Sequence, residues 1–305
     1  MAAHAQAQAP SALPRRVLGR TGLEITTIGL GSAPVGHSKP GAAVGVPVYR
    51  AALEAGITYV DTAHYYDDAE AYLGELMPEW RDRIVLATKV RPDGADTAAR
   101  RANCQRQFEQ SLRLLRTDHV DVLHLHSIAN FETDALLAKG GPLDFALQMK
   151  AEGKTRFIGI TGHNRPARFR PLLATGQIDV IMVALNFVDL HTYPFEAEVL
   201  PLARAQGCGI IAMKVYGGHA KGFSGYKQAG PSRMPKEWLA EGFRYPLSLE
   251  GVACNVVGCY TADEIRQSAD WARTFQPLDV AAMEALRARG RQVATAWGPR
   301  FGAPV

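Results

Sequence analysis

A chain of 305 residues and 33.1 kDa is long enough for two ordinary domains or for one α/β barrel, and either would bury a large core. Its 47% hydrophobic and 21% charged residues exclude a disordered, collagenous or coiled-coil chain. The net charge of +4 has no basic run longer than Arg15-Arg16 or Arg100-Arg101, which leaves no face for nucleic acid, and no stretch approaches the roughly 18 unbroken apolar residues of a membrane span. Cys104, Cys208, Cys254 and Cys259 form no C-x-x-C and too small a set for a disulfide framework, so a reducing, cytoplasmic setting is expected.

In chain order, residues 1–14 read as a disordered Ala/Gln/Pro leader and 15–305 as one domain. Residues 16–24, with Gly19 and Thr21-Gly22 between apolar neighbours, suggest a β-hairpin closing the bottom of a barrel. Eight short apolar runs rich in β-branched residues follow, at 26–30, 58–61, 84–89, 120–126, 157–161, 180–185, 210–214 and 254–258. Helical patterns at 49–55, 69–77, 102–116, 143–152, 167–174, 195–206, 236–249 and 262–275 alternate with them. Gly56, Gly153, Gly176 and Gly207 each precede a strand, where a helix ends in the left-handed conformation that glycine adopts without a Cβ penalty. Thr261 with Glu264 three residues on reads as a capping box. Eight βα units in about 250 residues predict a closed (β/α)8 TIM barrel rather than an open sheet. A ninth pattern at 280–293 predicts an extra C-terminal helix, and the short tail beyond Val293 predicts an open barrel mouth.

Barrel active sites are built at the C-terminal ends of the strands, so polar residues ending a strand carry the chemistry. Asp61 ends the second run, Tyr66 follows on the same loop, Lys89 ends the third run and His126 the fourth. Singly, these read as a helix cap, a rim aromatic, a surface lysine and a core histidine; together they set a carboxylate, a phenol, an ammonium and an imidazole at one mouth.

The segments Gly29-Leu30-Gly31-Ser32, Tyr59 to Tyr66 with its D-T-A-x-x-Y, Ala87-Thr88-Lys89, Ser111 to Leu115 with Asp118 and Asp121, and Gly153 to Ile160 resemble, in order and spacing, the aldo-keto reductases. The resemblance runs from Arg16 to about Phe275. It implies an NAD(P)H-dependent oxidoreductase acting on a small carbonyl compound or sugar, with Asp61, Tyr66, Lys89 and His126 as the catalytic tetrad. In that scheme hydride transfer leaves an alkoxide that needs a proton, and a phenol supplies it if its pKa falls from about 10 towards neutrality. Lys89 would stabilise the phenolate, Asp61 would keep Lys89 charged and oriented, and His126 would hold the carbonyl oxygen, with no metal required. For the cofactor it implies Gly31, Ser32, Asp61 and Thr161, the last in the place of a carboxamide-binding serine. Met182 and Met213 stand where a glutamine and a ring-stacking tyrosine are usual, and a methionine can still cover a ring through its polarisable sulfur. Lys214, Val215, Tyr216 and Gly217 would lie along the pyrophosphate. Gly258, Cys259, Tyr260 and the helix start at Thr261 would hold the adenosine phosphates. Glu264 takes the place of an arginine for the 2′-phosphate, and Gln267 lies near the adenine, so NADP(H) is favoured over NAD(H) only on balance. Loops 127–142 and 216–235 would shape the pocket, with His64, Tyr65, Phe131, Phe223 and Tyr226 as walls.

Other readings fit fewer residues. Gly29-x-Gly31 suggests a Rossmann dehydrogenase, but Pro34 fills the third glycine position. His124-x-His126, on one face of a strand, suggests a metal-dependent barrel hydrolase with His163 or His191 as further ligands. The Met182 and Met213 departures also leave a non-catalytic nicotinamide-binding barrel as an alternative.

Overall fold

A computed structural model describes residues 11–305, so most of the expected leader lies outside the described residues. Its last part is packed: Leu13 is buried in the core, Pro14 O accepts from Thr27 N, and Ser11 O accepts from Arg273 Nε at 2.9 Å. The domain therefore holds residues 11–14 as well, because a leucine buried against the helical layer gains what a free tail would forgo.

Ten strands form among the described residues: β1 Arg15–Val17, β2 Glu24–Thr26, β3 Ile28–Gly31, β4 Tyr59–Asp61, β5 Val85–Val90, β6 Val120–Leu125, β7 Thr155–Gly162, β8 Val180–Ala184, β9 Gly209–Met213 and β10 Val252–Gly258. β1 and β2 pair antiparallel as the expected hairpin. β3 to β10 close into a parallel barrel in sequence order, with β10 returning to β3. Between strands run helices whose apolar faces pack on the outside of the barrel, in one cluster from Leu13 to Ala272.

The hairpin is a plug. Leu18, Leu23 and Ile25 enter the barrel interior with Tyr59, Val122, Val180, Met182, Ile211 and Met213. Leu18 comes so close to β9 that a Cβ on Gly209 would lie 2.5 Å from its Cγ. Arg20 clips the plug to the rim through Asp179 and the carbonyls of Gly176 and Ile178.

Gly56, Gly153, Gly176 and Gly207 all take positive φ, between 66° and 93°, and Thr261 forms its capping box. Several helical expectations change; the 69–77 helix, for one, is two pieces, Ala69–Gly74 and Met77–Trp80, and the 102–116 helix starts earlier, at Thr97. The 49–55 helix extends to Ala42–Glu54; Gly45 and Pro47 masked its first turns, and Gly45 is needed because Tyr72 packs 2.6 Å from where a Cβ would stand. The 195–206 helix is two pieces, Phe195–Glu198 and Leu200–Ala205, since Pro201 cannot donate the bond that would join them. The 236–249 helix starts as a 3-10 turn and becomes α-helical at Leu239–Leu247. The extra helix spans Val280–Trp297; its Gly290 lets it press on the backbone of Phe187, where a Cβ would sit 1.8 Å from the carbonyl oxygen.

Candidate active site

Asp61, Lys89 and His126 leave the ends of β4, β5 and β6, and the loop after β4 brings Tyr66 over them. Lys89 Nζ donates to Asp61 Oδ2 at 2.6 Å and to Thr62 O at 2.8 Å. The pair is almost wholly buried, with side chains 1% and 4% exposed. Burial pushes the Asp61 carboxyl up and the Lys89 ammonium down, and their contact opposes both shifts. Lys89 Nζ lies 4.6 Å from the centroid of the partly exposed Tyr66 ring, and His126 stands edge-on to that ring at 5.6 Å. Burial, then the Lys89 charge, holds His126 well below the usual histidine range, so it is neutral.

One expectation is reversed. The Tyr66 phenol is pushed well above its ordinary value, by burial first and then by Asp61 and Tyr226. Burial penalises the phenolate first, and the Asp61 carboxylate adds to it by repelling that charge. The free protein therefore keeps the phenol protonated.

The mouth is not open. The loop after β9 crosses it, bringing Tyr226 within 6.3 Å of His37 on the helix Ala33–Ser38, and His37 in turn lies 5.5 Å from Tyr66. His219 is the centre of this strap: Lys221 N donates to its Nδ1, and Gly225 and Gly230 leave room for its ring. The short tail also lies across the mouth instead of leaving it open. Phe301 packs on His163, Tyr193 and Phe223, and Tyr193 Oη donates to Gly302 O. Arg91 stacks between Tyr65 and Phe131 at another side of the rim.

The residues expected to hold a cofactor fall into three groups. Gly31, Ser32 and Thr161 lie at the ends of β3 and β7, with Ser32 N donating to Asp61 O, and Thr161 Oγ1 accepting from Ser127 N. Lys214 and Gly217 line the start of the strap; Lys214 Nζ donates to Tyr226 Oη at 2.8 Å. Val215, Cys259 and Met182 are buried, and Tyr216 bonds Ser268 Oγ on the helix Ala262–Arg273. Of Val215, Tyr216 and Cys259, only the backbone is free to face a ligand. Met213 ends β9 in the barrel interior. Gly258 and Tyr260 border the last helix start, and Gln267 is exposed on that helix.

Glu264 departs from the expectation most. Its Oε2 accepts from Tyr260 N at 2.6 Å and Thr261 N at 3.3 Å, so the carboxylate satisfies the helix start that was expected to receive a phosphate. The capping box itself turns it inward. Arg266 is engaged by Asp263.

His124, one residue pair deeper than His126, packs on β7 at Gly159, where a Cβ would lie 2.1 Å from its Nδ1. Among the described residues, no three His, Cys, Asp or Glu side chains are grouped to hold a metal ion. The donors at the mouth fit a nicotinamide dinucleotide instead. Ser32 Oγ, Thr62 Oγ1 and His126 Nδ1 are buried with no hydrogen-bond partner among the described residues, and the Lys214 ammonium meets a phenol rather than a carboxylate. Carboxamide, ribose and phosphate groups match such atoms. Sequence reasoning passed over His37, Asn186, Asp189, His219 and Arg300, for which only the long loops and the tail gave any signal.

A family model described as Aldo/keto reductase family matches residues 27–241. The chain is 33% identical to the L-galactose dehydrogenase of Arabidopsis thaliana over 65% of its own length and 63% of that protein's, so it spans under two thirds of that relative. It is 25% identical to the pyridoxal 4-dehydrogenase of Microbacterium luteolum over 84% of this chain and 92% of that one. Among solved structures, an aldo-keto reductase from Klebsiella pneumoniae in complex with NADPH shares the fold with a TM-score of 0.69 at 22% identity, covering 92% of this chain and 95% of that one.

Proposed function

The chain belongs to the aldo/keto reductase family, and from that premise we propose that it is an NAD(P)H-dependent oxidoreductase that reduces an aldehyde or ketone, or oxidises the corresponding alcohol or sugar. The observation that carries this reading is the cluster of Tyr66, His126 and the Lys89–Asp61 pair at three successive strand ends. The cofactor supplies the hydride when bound. Ser32 and Thr161 would hold its carboxamide end, Met213 would cover the ring, and Lys214 with the backbone of Val215 to Gly217 would hold its phosphates.

Neutral His126 donates a hydrogen bond to the carbonyl oxygen and fixes its position beside Tyr66. Tyr66 then gives its proton to the alkoxide as it forms. Lys89, oriented by Asp61, stabilises the phenolate left behind. In the oxidative direction the same phenolate accepts the alcohol proton. NADP(H) over NAD(H) is our preference, supported by the neighbours of the same fold that are complexes with NADPH and NADP. Four free, buried cysteines support a cytoplasmic setting.

The test is reduction of a panel of aldehydes, ketones and aldoses with NADPH and NADH, after treatment with EDTA. Turnover that survives chelation is expected. Zinc-dependent hydrolysis in a protein that neither binds nor oxidises NAD(P)H would replace this reading with the hydrolase one, and nicotinamide binding without turnover would leave the non-catalytic one.

A further inference from the structure

Lys214 is a non-glycine residue held at φ +56°, a conformation that persists only where its surroundings impose it. The imposing groups form a buried chain. Lys214 O accepts from Asn186 Nδ2 at 3.0 Å, and Asn186 Nδ2 also donates to Asp189 Oδ2 at 2.6 Å. The amide cannot turn, because Asn186 Oδ1 accepts from both Val188 N and Asp189 N. Asp189 Oδ2 in turn accepts from Arg300 at 2.8 Å, with the two side chains 2% and 12% exposed. Arg300 lies over the rings of Trp297 at 4.4 Å and Phe301 at 4.6 Å. Trp297 and Arg300 also press on Gly217, at the other end of the same loop, where a Cβ would stand 2.7 Å and 3.0 Å from them.

We propose that Arg300 is a positioning residue that acts through Asp189 and Asn186 to fix the left-handed backbone of Lys214, so that the tail presets the loop expected to hold the cofactor phosphates. The part played by the cofactor rests on the function proposed above; the positioning of the loop does not. Arg300 is the cation that compensates the buried Asp189 carboxylate. Without it that carboxylate must take up a proton or turn towards water, and either change loosens the Asn186 amide that holds Lys214 O. The loop then relaxes towards ordinary backbone angles and carries the Lys214 ammonium away from its place beside Tyr226.

Two readouts test this. Amide exchange in the cofactor-free protein reports Gly217 N–H, which donates to Lys214 O at 2.7 Å. NADPH affinity by calorimetry reports the set of the loop. Arg300→Met, which keeps the packing on Trp297 and Phe301, is expected to speed exchange at Gly217 and to weaken NADPH binding about tenfold. Arg300→Lys should recover most of both. Lys214→Gly weakens binding by removing the ammonium, but glycine takes the left-handed conformation freely. Adding Arg300→Met to it should therefore cost no further affinity. Exchange and affinity at parent values in Arg300→Met, or an equal penalty in the Lys214→Gly background, would overturn the proposal. If Arg300→Met does not fold, Arg300→Met with Asp189→Leu carries no uncompensated buried charge and is read in the same way. A parent protein that binds neither NADPH nor NADH overturns the proposed function, and exchange at Gly217 then decides the positioning role alone.

Discussion

Tyr66 has its phenol raised by burial and by Asp61, and that direction sets a pH dependence. A general acid works while protonated, so the reductive rate should stay level through neutral pH and fall only above the ordinary phenol range, about 10. Oxidation needs the phenolate and should rise over the same interval. Tyr66→Phe should lower kcat by about 10²-fold or more while NADPH affinity stays at the parent value. Steady-state rates with separate calorimetry check both. Lys89→Met should lower the rate and also move the oxidative profile to higher pH, since Asp61 is then left to repel the phenolate alone. A second residue, Glu70, is buried on the outer face of the barrel, where its Oε1 accepts from Thr88 Oγ1 at 2.6 Å, and burial pushes its carboxyl up to about 7. The folded value lies above the unfolded one, so the stabilising contribution is complete below the unfolded pKa and is lost as pH rises through about 7. Glu70→Gln, which never ionises, should be close to neutral for stability at low pH and stabilising at pH above this range, by up to about 3 kcal/mol. Denaturant melts at the two pH values measure it; an equal effect at both would show that Glu70 does not titrate in the fold.

The helix Ala262–Arg273 shows how an element's own end chemistry competes with ligand binding. Glu264 spends its carboxylate on the N–H groups of Tyr260 and Thr261, the same donors that a phosphate at this helix start would use. Glu264→Ala removes the N3 half of the capping box while Thr261 stays as the cap, and should cost up to about 1 kcal/mol of stability. It also frees two donors and removes a negative charge, so affinity for NADPH should rise relative to NADH. Thermal melts and the ratio of the two dissociation constants check the paired outcome. A changed melt with an unchanged ratio would place the 2′-phosphate elsewhere, with Lys214 as the next cation to vary.

Across the whole molecule, the barrel separates stability at its bottom from chemistry at its mouth. The hairpin plug belongs wholly to the first. Leu18 is fully buried among interior side chains, at the end of the barrel opposite the candidate site. Leu18→Ala should therefore cost about 2–5 kcal/mol in unfolding free energy. NADPH affinity at temperatures well below the melt should not change. Denaturant titration and calorimetry on one preparation separate the two, and a matching loss of affinity would mean that the interior layers transmit strain from plug to mouth.

The sequence alone pointed to the barrel and to the end that carries the candidate site. Eight β-branched runs alternating with helical periods in about 250 residues favour a closed barrel over an open sheet, and Asp61, Lys89 and His126 stand at the ends of three of those runs, where strand ends face the mouth. The glycine helix ends and the Thr261 capping box were legible for the same reason: each is a local backbone requirement met by residues a few positions apart. What the tertiary structure decided depends on contacts between residues far apart in the chain. The direction of the Tyr66 shift needed the burial of its own phenol and the nearness of Asp61, since desolvation and charge repulsion are matters of distance in space. The turn of Glu264 towards its own helix start was present in the motif, yet its cost to a phosphate site appears only when both are set at one place. The closed mouth could not be read at all: the tail is short in sequence, but Arg300 meets Asp189, 111 positions away, and Phe301 reaches loops that follow three different strands. Periodicity and end signals act within one element, whereas the tail and strap are held by buried charge and ring packing that exist only once the barrel has closed.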